Sequence, residues 1–356
     1  MTRLPTGDLR IRETRPLVSP AVLAEELMLD EDSAVFVAES RRAVEAILSG
    51  RDDRVLAVVG PCSIHSVPEA SEYAALLREA AERNALDLLV IMRVYFEKPR
   101  TVLGWKGLIN DPDLDDSFRI NQGLKLARAL MHKLASLRLP VATEFLDTTL
   151  GQYYADLVTL GGIGARTIES QVHRNLASGL SMPVGFKNRR DGDIQVAVDA
   201  ICAARNPHWF PSLTKDGAPA VLGTTGNEYG HLVLRGGTSG PNFGSSHVRK
   251  AAALLHAAGL PPCLVVDCSH ANSGKDAERQ PEVAADLAAQ LAAGERSICG
   301  FMVESNLVGG SQDYRARPLV RGRSVTDPCL SLEKTVPLLE KMAAAVRARR
   351  KANERR

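Results

Sequence analysis

The chain has 356 residues, 45% hydrophobic and 24% charged, with a formal net charge of +2. This is globular composition with length for one large core or two modest ones, and its near-neutral charge gives no hint of a nucleic-acid or acidic-membrane partner. The N-terminus lacks the apolar core of a signal peptide, no window approaches about eighteen continuous apolar residues, and the six cysteines (62, 202, 263, 268, 299 and 329) show neither CxxC spacing nor the density of a secreted scaffold, so a cytoplasmic protein with reduced thiols is expected.

Residues 1–50 read as an extended arm, "DLRIRETRPLVSP", followed by helices near 20–29 and 32–48. From residue 51 onward, short apolar runs alternate with longer Ala/Leu/Glu/Arg-rich stretches. The predicted strands are 54–60, 88–95, 140–146, 161–166, 183–188, 231–237, 263–270 and 298–305, with helical runs such as 68–84 and 281–295 between them. Eight buried strands, each followed by a crossover, predict a parallel (β/α)8 TIM barrel of class α/β over 51–356. An open doubly wound sheet would want GxGxxG after the first strand, and none is there. Residues 207–226 read as a β-hairpin inserted between strands five and six, with "KDG" at its turn. The basic run 346–356 reads as the solvated, fraying end of a C-terminal helix.

Barrel enzymes build their sites at the C-terminal ends of the strands. Those ends carry Cys62, Arg93, Glu144, Arg166, Lys187, Arg235, Asp267, His270 and Glu304, with Lys98 and Arg100 shortly after strand two. Closure brings them to one mouth. Arg93, Lys98, Arg100, Arg166, Lys187 and Arg235 would repel one another unless they bind anions, most simply a phosphorylated carboxylate and a second phosphate. Cys62, His270 and Glu304, with Asp327 in the loop after strand eight, make a mixed S/N/O set for one borderline divalent cation such as Mn, Fe, Co or Zn.

The motifs "GPCSIH", "MRVYFEKPRTVLGWKGLINDP", "IGARTIESQVHRNLASGLSMPVGFKN", "HLVLRGG", "DCSHANSGK", "MVESNLVGG" and "SVTDPC" occur in order. Together they resemble type I 3-deoxy-D-arabino-heptulosonate 7-phosphate (DAHP) synthase from about residue 8 to the end. The resemblance implies a metal-dependent barrel that condenses phosphoenolpyruvate with erythrose 4-phosphate at the entry to the shikimate pathway. By that resemblance Cys62, His270, Glu304 and Asp327 hold the metal, with Mn first among the candidates. Arg93, Lys98, Arg166, Lys187 and Arg235 would hold phosphoenolpyruvate, Arg166 and Arg235 on its phosphate, and Arg100 and Thr101 the phosphate of the aldose. Lys98 is the expected proton donor to the aldehyde oxygen, whereas water activation is left between Glu144 and a metal-bound water. His65 is read as a turn histidine.

A 3-deoxy-octulosonate 8-phosphate synthase would tend to "KANRSS" where this chain has "KPRT", and would lack the arm and hairpin. A catalytically silent regulatory homologue should have lost a ligand or a substrate arginine, and none is lost. The resemblance also implies a homodimer or homotetramer built through the arm and hairpin, with a feedback site for an aromatic amino acid. The expected regulatory residues are Asp8, Gly151, Gln152, Ser181, Phe210 and Ser212. Gly7 and Gly151, where the phenylalanine-responsive branch tends to Asp and Pro, favour tryptophan as effector. Cys329, two residues beyond Asp327, is expected near enough to Cys62 to pair with it when metal is absent.

Overall fold

The structure, a computed structural model, describes residues 6–354. Eight parallel strands form the barrel: β1 (Val55–Gly60), β2 (Leu88–Arg93), β3 (Val141–Glu144), β4 (Leu160–Ile163), β5 (Val184–Lys187), β8 (Gly230–Leu234), β9 (Leu264–Asp267) and β10 (Ile298–Asn306). Pairing of β1 with β10, Leu56 opposite Gly300 through Gly60 opposite Glu304, closes it. The predicted strands are all present, several shorter than the apolar runs that announced them.

Both faces of each strand are covered, so β1 is buried along its whole length. Its alternate residues still divide: Val55, Ala57 and Val59 join the core under the surrounding helices, whereas Leu56 and Val58 join the barrel interior. Helix α2 (Glu31–Leu48) lays Val44, Ile47 and Leu48 into that interior cluster and so plugs the N-terminal end of the barrel. Asp30 caps the helix, its carboxylate accepting from the Ser33 N–H at 2.8 Å. The shorter α1 (Pro20–Glu26) precedes it.

The inserted hairpin is β6 (Trp209–Leu213) paired antiparallel with β7 (Pro219–Gly223), as expected. Helix α9 (Leu332–Glu354) ends the described chain. Here the solvated reading of the basic run is corrected. Arg347 and Arg350 pair with Asp87, Arg350 also with Asp53 at 2.7 Å, and Arg349 is buried. Acids that precede β1 and β2 sit at the end of the barrel where this helix returns, and they hold its last turns down.

The cysteines, too, depart from the expected all-reduced state. Cys263 and Cys299 are joined as a disulfide with Cα atoms 5.7 Å apart, while Cys62, Cys202, Cys268 and Cys329 are free. The two half-cystines enter neighbouring strands, β9 and β10, where the register shifts between Ile298 and Gly300.

Candidate active site

The Gly60–Pro61 turn places the first candidate ligand. Gly60 has φ +152°, and a Cβ there would stand 3.0 Å from the Arg93 backbone, so β1 ends against β2 only with glycine. Cys62 then points inward, fully buried. One ligand atom each from Cys62, Glu304 and Asp327 lies within 4.8 Å of the others. His270, held at φ 55° after β9, brings its Nε2 to 3.9 Å from Glu304 Oε1 but stands outside that closest three. Its Nδ1 is 2.7 Å from both the Asp267 carboxylate and the Ser269 hydroxyl, so Asp267 and Ser269 hold the ring from one side while Nε2 faces Glu304.

This donor set fits a borderline divalent ion. A thiol, an imidazole and two carboxylates converge in a buried place where like charges need a cation between them. Burial and the neighbouring Glu304 raise the Cys62 thiol, against the pull of Lys98. Lys98 Nζ stands 3.1 Å from Cys62 Sγ, and Arg93 donates to Glu304 at 3.0 Å. The Cys62 N–H also donates to Cys329 Sγ at 3.3 Å. His65 keeps its turn role, 3.4 Å from Glu69 in the first turn of α3 (Val67–Arg83).

The cations surround this cluster. Burial disfavours charge on Lys98, but Cys62 and Glu304 outweigh it and hold the ammonium above its ordinary range. Lys187 is likewise raised, against its burial, by Tyr95 and by Glu144, which lies 3.5 Å away. Burial pushes Glu144 up, yet Lys187, Lys98, His270 and Arg93 together hold it below the usual carboxylate range, so it is ionised. Arg235 is the reverse: burial lowers it despite Asp267, and Arg190 and Arg166 add to the lowering. Two guanidiniums that bear on a third at one rim form a place for a multiply charged anion. Arg93 is fully buried beneath them, its guanidinium 4.0 Å from the Tyr95 ring centre. Arg100 lies farther out, its Nε–H donating to the Trp105 carbonyl at 2.7 Å, and Thr101 is exposed beside it.

Several participants were not singled out from sequence. Tyr95 lies under both Arg93 and Lys187. Arg190 acts on Arg235, and Lys275 on Asp327. Gln280 clamps the Glu304 backbone, accepting its N–H and donating to its carbonyl, each at 2.9 Å. "DCSHANSGK" contains Lys275 as plain text; nothing in the spacing marks Gln280.

The expected regulatory residues are spread over the outer segments. Gly151 and Gln152 form the 3-10 turn after β3, Phe210 and Ser212 lie on β6, Ser181 is exposed before β5, and Asp8 is exposed on the arm. Lys215 ties the hairpin turn to the Gln152 carbonyl at 2.7 Å, and its own carbonyl accepts from Ala21 at the start of α1. A Cβ at Gly151 would stand 3.2 Å from the Phe145 ring, so glycine also serves local packing there.

Residues 29–340 match the model of the DAHP synthetase I family. The chain is 52% identical over 344 residues to the Phe-sensitive phospho-2-dehydro-3-deoxyheptonate aldolase of Escherichia coli K12, covering 96% of this chain and 98% of that protein. It is 49% identical over 345 residues to the Trp-sensitive one of Salmonella typhimurium, covering 97% and 99%. A solved phospho-2-dehydro-3-deoxyheptonate aldolase from Francisella tularensis superposes with a TM-score of 0.94 at 52% identity, over 95% of this chain and 99% of that one. A closed parallel barrel with metal-type donors and a cationic rim at one mouth, matched along nearly its whole length, places this chain in the DAHP synthetase I family.

Proposed function

We propose that the chain condenses phosphoenolpyruvate with D-erythrose 4-phosphate and water to give DAHP and inorganic phosphate, the activity of EC 2.5.1.54. The observation that carries this reading is the meeting of buried Cys62 and Glu304 with half-buried Asp327 inside a ring of cations. Cys62, His270, Glu304 and Asp327 would hold one divalent ion, Mn before Fe, Co or Zn. When bound, that ion supplies Lewis acidity toward the aldehyde carbonyl.

Arg166 and Arg235 bind the phosphoenolpyruvate phosphate, and the lowering of Arg235 by Arg190 and Arg166 supports that role. Lys187 and Arg93 reach the same substrate from the floor of the mouth. Arg100 and Thr101 take the phosphate of the aldose, which sets its aldehyde toward Lys98. Carbon 3 of phosphoenolpyruvate attacks that aldehyde, and Lys98, kept protonated by the acids around it, delivers the proton to the developing alkoxide. Ionised Glu144, beside Lys187, accepts the proton of the water that adds at carbon 2, and C–O cleavage then releases phosphate.

The relatives' names and the motif "KPRT" both favour this reaction over the octulosonate one. Arm and hairpin form contacts between copies in a dimer or tetramer and carry an aromatic amino-acid site, with tryptophan the proposed effector on Gly151. Among the described residues no helix is long and apolar enough to cross a membrane. The test is phosphate release requiring both substrates, before and after chelation and again with Mn. Loss on chelation and recovery with Mn are expected; full activity of metal-stripped protein overturns the assignment.

A further inference from the structure

At the opposite end of the barrel from the reacting groups lies a cavity of about 620 Å³, within the roughly 300–1,000 Å³ common for small-molecule sites. It is enclosed by the end of α2, residues 52–54, the entries to β9 and β10, and the last turns of α9. One side is apolar: Ile47 and Leu48 from α2, Pro261 and Pro262, and the joined sulfurs of Cys263 and Cys299.

The other side is charged, and its pairing is incomplete. Asp52 is engaged by Arg54 and Asp53 by Arg350, each at 2.7 Å. Arg349 is only 6% exposed, yet among the described residues it donates to two backbone carbonyls, those of Asp53 and Ile298, and meets no carboxylate. A guanidinium has five N–H donors, so most of its capacity is unspent. Arg296, on the rim, makes no hydrogen bond or ion pair among the described residues. Glu354, exposed at the mouth, is the cavity's one uncommitted carboxylate among them. Burial weakens the hold of Arg349 on its charge against the pull of Asp53, and Arg350 and Arg296 weaken it further. A buried cation that no carboxylate touches is costly, and a carboxylate brought by a ligand offsets that cost.

We propose that this cavity is a second ligand site for a small monocarboxylate with a flat apolar body. Its carboxylate lies on Arg349 and Arg296, and its body against Ile47, Leu48, Pro262 and the Cys263–Cys299 sulfurs. A compact phosphate would leave the apolar wall unused, and an uncharged aromatic would leave the guanidiniums unused. The site stands apart from the active-site reading and does not depend on it.

The test uses the full metal-loaded chain with benzoate, benzyl alcohol and inorganic phosphate as probes. After reduction of Cys263–Cys299, iodoacetamide labelling is followed by peptide mapping, with Cys202 on α6 (Gln195–Ala204), which is not in the cavity, as the internal reference. Benzoate should slow labelling of Cys263 severalfold relative to Cys202, with benzyl alcohol and phosphate giving little protection. Arg296→Gln, an exposed change that spares the fold, should remove the effect; Arg349→Gln, checked by circular dichroism, should do the same. Calorimetric titration with benzoate should show the same loss in Arg296→Gln while phosphoenolpyruvate binding is retained. The proposal fails if benzoate neither protects nor binds. It fails equally if either other probe matches benzoate, or if both arginine variants respond like the parent chain.

Discussion

Glu97, the neighbour of Lys98 in the chain, is 5% exposed, with the Tyr154 hydroxyl donating to it at 3.3 Å. Burial, and then the Asp147 and Glu144 carboxylates, push it from an ordinary 4.5 up to about 8. A carboxyl raised on folding lowers stability as pH climbs, because the unfolded chain gives up its proton first. The loss begins near the unfolded value and is complete above the folded one. Glu97→Gln removes the titration and keeps an acceptor for Tyr154. With these two values the linkage relation makes the substitution stabilising by less than about 1 kcal/mol at pH 5, about 3 at pH 7 and about 4 at pH 8. For a chain of this length, 3 kcal/mol is a Tm rise of about 4 °C. The assay is differential scanning calorimetry of both metal-loaded proteins from pH 5 to 8.5, read as the Tm difference between them. A difference that does not change with pH would refute the reasoning.

Three other outcomes are expected. Arg235→Ala should weaken mainly phosphoenolpyruvate and Arg100→Ala mainly erythrose 4-phosphate, each by about 1.5–3 kcal/mol for a lost charge-assisted contact; an Arg100→Ala change confined to the phosphoenolpyruvate constant in steady-state kinetics would reverse the partition. In metal-free protein, air should join Cys62 to Cys329, the two thiols losing two electrons and two protons to dioxygen to give hydrogen peroxide. Non-reducing peptide mapping should find that link in the apo sample alone, and its absence from oxidised, inactive apo protein contradicts it. Gly107→Ala would set a Cβ 2.0 Å from the Phe96 carbonyl at φ +114°. Urea unfolding should then show a loss of several kcal/mol, and a midpoint within error of the parent would mean that the loop after β2 moves freely.

The barrel was legible because a strand buried on both faces needs an unbroken apolar run, and eight such runs with crossovers admit few architectures. That the charged strand ends gather at one mouth was legible for a related reason. Parallel strands all end on the same side, so Cys62, Glu144, Lys187 and Glu304 could be assigned to one mouth from position along the chain alone. Which of them touch was not legible. Arg93 pairs with Glu304 across 211 residues of sequence, and that contact depends on closure of β10 onto β1 beside β2. Tyr95 and Gln280 act on charged neighbours that only the fold supplies. The same holds at the far end. The basic run of α9 reads as solvent-facing by composition, yet Asp53 and Asp87 wait where the helix returns. Cys263 and Cys299 have no spacing that marks a pair, and they meet only because β9 and β10 lie side by side. Local sequence sets which way a strand or helix faces; lateral partners are set by register and closure, which join residues hundreds of positions apart.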